Sequence, residues 1–205
     1  MNIFALHDDP VKAAEMHCNK HVLKMSCEYA QLLSTAHRVL DGIETNVFYF
    51  AESGMPKSKV LNLLPGESYE FTRTEKGCIK PIITNQVCYN ETHVNHPSAK
   101  WARECNENYL WLYRLFIACA DEYTKRYGKI HASKKLADFL SAAPKNIKSA
   151  SRTEFYCAMP EQYIVPKDPV QSYRNFYIHD KSRFAKWTNA TPPDWYLAGI
   201  ENNHV

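Results

Sequence analysis

Residues 17–40 carry the most regular hydrophobic period in the chain, and it is helical. At about 100° per residue, Val22, Met25, Tyr29, Leu32, Leu33, Ala36 and Leu40 fall on one apolar stripe. Beside it runs a stripe of His17, His21, Lys24, Glu28, Gln31 and Thr35, at spacings of 4, 3, 4, 3 and 4. The remaining face offers Ser26, Ala30 and Ser34, side chains small enough for another element to approach closely. Such a helix has little conventional solvent face. Its ionisable groups form one line between two surfaces that want covering, so the rest of the chain must pack around it.

The flanking sequence supplies further helices. Asp9 and Pro10 suit a cap and a first turn, and the helix they open breaks near Cys18-Asn19, runs on to about Val39 and stops at Asp41-Gly42. A second long helix is predicted over about 95–127, opened by Asn95-His96-Pro97-Ser98 and closed by Gly128, with Trp101, Cys105, Tyr109, Leu112, Leu115, Phe116, Cys119 and Tyr123 at helical spacing. A shorter helix is expected over about 133–143, and a last one from Asp168-Pro169 to about Trp187. The tail Pro192-Pro193-Asp194-Trp195-Tyr196 reads as extended, as do residues 2–6. Between the long helices the period is lost. Val60-Leu61-Asn62-Leu63-Leu64, Pro65-Gly66 and Tyr69-Glu70-Phe71-Thr72 suggest a hairpin or an irregular insertion. The expected fold class is mainly α: one compact helical domain over 1–205, with a small irregular or β-hairpin insertion at about 44–95.

Composition narrows the function classes. Lys and Arg number 25 against 22 Asp and Glu, a net charge of +3, too weak to announce nucleic-acid binding by charge alone. Only 6 glycines are present, and none forms a phosphate-cradling loop. No stretch approaches the length of a membrane span and no secretory h-region opens the chain, so no membrane partner and an intracellular location are expected. The seven cysteines are odd in number and lack C-x-x-C spacing, which fits a reduced chain with thiols packed as small hydrophobes.

The polar stripe is where chemistry can sit. Glu28 follows Lys24 by four residues and His21 by seven, and acid–base work wants a partly buried carboxylate beside cations. The same stripe also fits a surface helix with an i, i+4 pair from Lys24 to Glu28. His17-x-x-x-His21 and His93-x-x-His96 have spacings a metal could use, but neither has a carboxylate or thiolate at fixed distance, and the one E-x-x-H is Glu201-x-x-His204 in the tail. No metal and no cofactor are expected. At the start of the second long helix, His96, Lys100, Arg103 and Asn106 suit an anion at a helix N-terminus. In the last helix Tyr173, Arg174, Tyr177, Lys181, Arg183 and Lys186 mix rings with bases, as phosphate contact and base stacking require and as many amphipathic helices also do.

Met16-His-Cys-Asn-Lys-His-Val-Leu-Lys-Met25, Thr92-His-Val-Asn-His-Pro-Ser-Ala-Lys-Trp101, Asn108-Tyr-Leu-Trp-Leu112 and Glu122-Tyr-Thr-Lys-Arg-Tyr-Gly128 resemble a family of phage and large-virus proteins of uncharacterised activity. At the level of short motifs the chain is also similar to phage pyrimidine-dimer DNA glycosylases. His21 and Glu28 match the spacing of that family's helix-borne His and catalytic Glu, and Met159-Pro-Glu-Gln-Tyr163 and Pro193-Asp-Trp-Tyr196 look like its late segments. Two departures stand out. That family attacks with the α-amine of a small residue exposed by Met removal, whereas position 2 here is Asn, whose bulk keeps Met1 in place. Cys27 and Gln31 stand where the family carries arginines.

The resemblance implies a phage DNA-base-directed enzyme of N-glycosylase type in the host cytoplasm. Glu28, His21 and Lys24 would be catalytic, and His17, Gln31, His96, Arg103, Asn106, Arg174, Tyr177 and Lys181 would hold DNA or a nucleotide. The same residues leave open a transferase modifying a pyrimidine base or nucleotide, and a non-enzymatic phage protein that binds nucleic acid or a host protein.

Overall fold

Asp9 opens the first helix, α1 (Pro10–Met16), by accepting from the Val11 and Lys12 amides at 2.8 and 3.0 Å. The computed structural model describes residues 1–51, 53–75 and 77–202; His204, and with it the Glu201-x-x-His204 spacing, lies outside the described residues. The break expected near Cys18-Asn19 separates α1 from α2 (Asn19–Asp41). Arg126 stabilises it from α4 (Asn106–Tyr127), donating to the Glu15 and His17 carbonyls at 3.0 and 2.8 Å while Glu122 holds its Nε at 2.9 Å. Carbonyls orphaned where a helix ends thus find a buried donor.

Helices α2 and α4 form the centre of the core. The α2 apolar stripe is buried from Val22 through Ala36, with Leu40 half-buried at its end. The small-residue face is covered too, and Ser34 Oγ accepts from the Tyr89 amide at 3.2 Å, so residues 87–92 lie directly over it. The extended run Ile3–Leu6 is buried beneath the same helices. α4 ends at Gly128, whose φ of 67° is the left-handed cap conformation that glycine takes without strain.

The second long helix is two helices. α3 (Pro97–Ala102) is separated from α4 because Asn108 Nδ2 takes the Trp101 carbonyl at 2.9 Å, and the Asn106 amide turns out to Lys148 O, also at 2.9 Å. The helix expected over 133–143 is a 3-10 segment, Ala132–Leu136, followed by the single turn α5 (Ala137–Leu140). The last predicted helix is α6 (Pro169–Phe176), which widens into a π-helical turn, Tyr177–Lys181, and ends short of Trp187. The tail expected to be extended is helix α7 (Asp194–Glu201). Pro193 caps it, a role consistent with proline's tolerance at helix starts, and Tyr196 is buried against Trp187 at 4.7 Å between ring centroids.

The insertion corrects the expected fold class. It forms two antiparallel hairpins, β1 (Ile43–Phe50) with β2 (Pro56–Leu63) and β3 (Ser68–Arg73) with β4 (Ile79–Thr84). With 46% helix and 14% strand, the chain is mixed α and β rather than mainly α. A hairpin of 60–64 with 69–72, one of the two forms expected, does not form. Each run pairs elsewhere because Glu67, between them, is drawn down onto Arg38 of α2 and accepts from the Leu64 and Val87 amides at 2.9 and 3.0 Å. That contact pins residues 64–67 and sends β2 and β3 into separate ladders.

No helix of the described residues is long and apolar enough to cross a membrane. Cys18, Cys88, Cys105 and Cys119 are buried, and burial pushes the Cys18, Cys88 and Cys119 thiols up, so these three are neutral packing groups.

Candidate active site

Three segments meet around the first turns of α2. Asn2 fixes the first, with Nδ2 donating to Ala158 O and Oδ1 accepting from the Ile3 amide, both at 2.8 Å. Asn19 fixes the second, its amide on Lys186 O and its Nδ2 on Thr188 Oγ1, again at 2.8 Å. This draws residues 183–188 across the start of α2. The third is the π-helical turn with Lys181. Between them lies a cavity of about 400 Å³, within the range of small-molecule sites, lined by Met1, His21, Lys24, Glu28, Lys181 and Phe184 among others.

Glu28 is the one carboxylate among the described residues that line the cavity. Its side chain is 13% exposed, with Lys24 Nζ 3.1 Å from Oε1 and the Met1 nitrogen 4.0 Å from Oε2. Lys20, Lys181 and Arg183 also line the cavity, so one carboxylate faces five cationic groups. Lys181 is spoken for by Asp180 at 2.6 Å. The surplus positive charge suits an anionic ligand.

His21 shares this cavity but is itself 6% exposed. Phe4 stacks on its ring at 4.2 Å, and the Tyr177 hydroxyl bonds its Nδ1. Burial raises the Tyr177 phenol well above its usual range, so the phenol keeps its proton. Burial, with His17, Lys181 and Lys24 adding repulsion, lowers His21 to about 2. His21 is therefore neutral and takes no proton near neutral pH.

The other predicted residues are distributed more widely. His17 is fully buried behind the cavity, with Nδ1 donating to Ala13 O at 2.6 Å and Nε2 accepting from Tyr29 Oη at 2.7 Å, and burial lowers it to about 4. Both of its ring nitrogens are thus engaged inside the core. Tyr177, expected as a substrate contact, is buried, with its hydroxyl engaged by His21 and Cys18. Gln31 is half-buried and does not line the cavity. Asn106 holds the 148–150 segment through Ala150 N at 2.9 Å, a scaffold task.

Arg103 lines a different cavity, of about 700 Å³, with Lys100, Trp101 and Tyr156. Arg174 lines a third, of about 490 Å³, and donates to Leu6 O at 3.1 Å. His96 caps α3, its Nδ1 accepting from Ser98 N at 3.1 Å. Burial lowers its pKa, the Met1 amine and His93 push the same way and Glu28 opposes them, so His96 sits within electrostatic reach of the Glu28 cavity.

The stripe reading thus finds Glu28, His21 and Lys24 together, and Lys181 joins them from the far end of the chain. It passes over Lys20, although residues 20, 24 and 28 repeat at four, and over Phe184, Asn2 and Met1, which no local pattern marks. No protein-family model, no curated protein and no solved structure matches the chain.

Proposed function

We propose that the chain is a phage enzyme acting on the N-glycosidic bond of a DNA base or nucleotide in the host cytoplasm, with Glu28 as its acid–base carboxylate. One observation carries this reading: a carboxylate almost withdrawn from solvent, between Lys24 and the Met1 nitrogen, in a cavity otherwise ringed by cations. The motif resemblance to phage glycosylases supports it. As the base departs, positive charge grows on the sugar, and Glu28 offsets it at short range. The carboxylate takes a proton from water as the water oxygen bonds to C1′, and passes that proton to the leaving base. Lys24 holds the carboxylate in place. His21 stays neutral and cannot compete for the proton.

The position of Met1 favours a second reading, in which its amine, 4.0 Å from Glu28, attacks C1′ instead of water. After loss of the base and opening of the sugar ring, that route gives an imine that borohydride reduces to a stable adduct. The test is Glu28→Gln on purified protein with damaged or phage-modified DNA, scored by abasic-site formation. The amide keeps the shape but cannot move a proton, so turnover falls by about 10²–10⁴ while folding and DNA affinity hold. A fully active variant removes Glu28 from the chemistry. Borohydride trapping in the same assay separates the two routes.

A further inference from the structure

Two of the cations in the Glu28 cavity have no acidic partner among the described residues, and both are held by one aromatic ring. Lys20 Nζ stands 4.8 Å from the centroid of Phe184, and the Arg183 guanidinium carbon stands 5.5 Å from it. Arg183 otherwise spends only its Nε, on Asp180 O at 3.3 Å, so the terminal nitrogens of the fork stay available. Both side chains are exposed, while Phe184 is half-buried with His21 edge-on at 5.6 Å. The ring is therefore packed in place, and the cations beside it face solvent. Lys24 and Lys181 differ, each already committed to a carboxylate.

An unpaired lysine and an unpaired guanidinium beside an aromatic face are the elements of a nucleotide subsite. The guanidinium and ammonium take phosphate oxygens by charge-assisted bonds, and the ring takes the flat face of a base. We infer that Lys20, Arg183 and Phe184 form a subsite for one nucleotide, phosphate on the two cations and base against Phe184, with its sugar toward Glu28. The cavity of about 400 Å³ lies in the size range of sites that take one small ligand, such as a single nucleotide. A nucleotide belonging to DNA must then enter as single strand or extruded from the helix. Cation–π contact with Phe184 keeps both positive groups at the mouth until a phosphate draws them off the ring.

This subsite rests on reading the Glu28 cavity as the functional site, but its test reads binding and not turnover, so the two can fail separately. The full chain is titrated at low salt with thymidine, dTMP, inorganic phosphate and a thymidine pentanucleotide. A subsite of this kind binds dTMP at least tenfold tighter than thymidine. Lys20→Gln with Arg183→Gln erases that difference, and since both residues are exposed the fold is untouched. Phe184→Leu weakens dTMP by about 5- to 150-fold, the cost of losing a stacking ring, and leaves inorganic phosphate unchanged. Phe184→Trp restores dTMP binding, which separates lost stacking from lost folding. Tighter binding of the pentanucleotide than of dTMP points to a strand as the source of the nucleotide, and equal binding to a free nucleotide. Equal affinity for thymidine and dTMP, no binding of either, or indifference to the Lys20 and Arg183 changes overturns the inference. Any of these can occur with Glu28-dependent turnover intact.

Discussion

Tyr173 Oη lies 2.8 Å from Oδ1 of Asn2, a residue 171 positions earlier in the chain. The same amide donates to Ala158 O and accepts from the Ile3 amide, so the second residue is bonded on both ends of its side chain. This fastening between α6 and the 156–158 segment leaves Met1 facing Glu28. Asn2→Leu keeps the bulk and removes every one of these bonds. It also strands the Ala158 carbonyl in a partly buried setting. A loss of roughly 1–3 kcal/mol in urea unfolding is expected. Unchanged stability would mean the N-terminal segment is held by apolar packing of Ile3, Phe4 and Leu6 alone.

Arg38 makes a fully buried, two-pronged contact with Glu67. Its Nη1 and Nη2 grip Glu67 at 2.9 Å each, and its remaining capacity goes to the Tyr89, Asn62 and Cys88 carbonyls. Both side chains are 0% exposed. Burial alone would raise Glu67, but the bonds from Arg38, Leu64 and Val87 outweigh it and hold the carboxyl low. Arg38→Met leaves that charge buried without its partner and is expected to cost about 3–5 kcal/mol. Combined with Glu67→Gln, the loss is smaller than the sum of the single changes, and the coupling exceeds the roughly 0.2–1 kcal/mol of an exposed pair. Strict additivity in denaturant unfolding would show that the hairpins are anchored elsewhere.

Acid sensitivity follows from the buried histidines. Burial lowers His17 to about 4 and His21 to about 2, and His37 moves the same way. In the unfolded chain each titrates near its ordinary value of about 6.5. Between that value and the folded ones the unfolded state binds more protons, so stability is full above about pH 6.5 and falls as pH drops. Each histidine contributes a slope of up to about 1.4 kcal/mol per pH unit in that window. His17→Gln can still reach both Ala13 O and Tyr29 Oη, yet it carries no proton to exclude. The unfolding free energy of that variant, measured from pH 7 to pH 4.5, should fall less steeply by close to one proton. An identical slope would place the acid sensitivity in the carboxylates.

What the sequence made legible was whatever repeats along one element. The three-stripe pattern of α2 located its core face and set Glu28, His21 and Lys24 side by side, and Gly128 marked the end of α4. What it hid depends on partners remote in the chain. The hairpin register turns on Glu67 meeting Arg38, and nothing near either residue signals that bond. His17 lies on the same stripe as His21 but at the first turn beyond the break, where Tyr29 and Ala13 close over it. Tyr177 and Lys181 are four residues apart in one turn, yet the first enters the core and the second the cavity. A mixture of rings and bases could not separate those fates.

Arg174 and Lys181 should consequently behave differently, although the sequence offers them as the same kind of phosphate contact. Lys181 lines the Glu28 cavity with its Nζ balanced by Asp180, while Arg174 lies in another cavity, with Nε on Leu6 O and Trp195 under its guanidinium at 5.5 Å. A cation that replaces condensed counterions on a single strand contributes about 0.7 to the slope of log affinity against log salt. Lys181→Gln should lower that slope by only part of this amount for a short single-stranded oligonucleotide, because Asp180 already balances its charge, and weaken binding across sequences alike. Arg174→Gln should leave the slope within error. It should instead lower the unfolding midpoint, because it removes a bond to the buried Leu6 backbone and a cation–π contact of roughly 0.5–1 kcal/mol. The measurement is oligonucleotide affinity at four salt concentrations for the parent and each variant, with urea unfolding alongside. A reduced slope for Arg174→Gln would extend the nucleic-acid path beyond the Glu28 cavity to the N-terminal end of α6, and unchanged slopes for both would remove Lys181 from the binding surface.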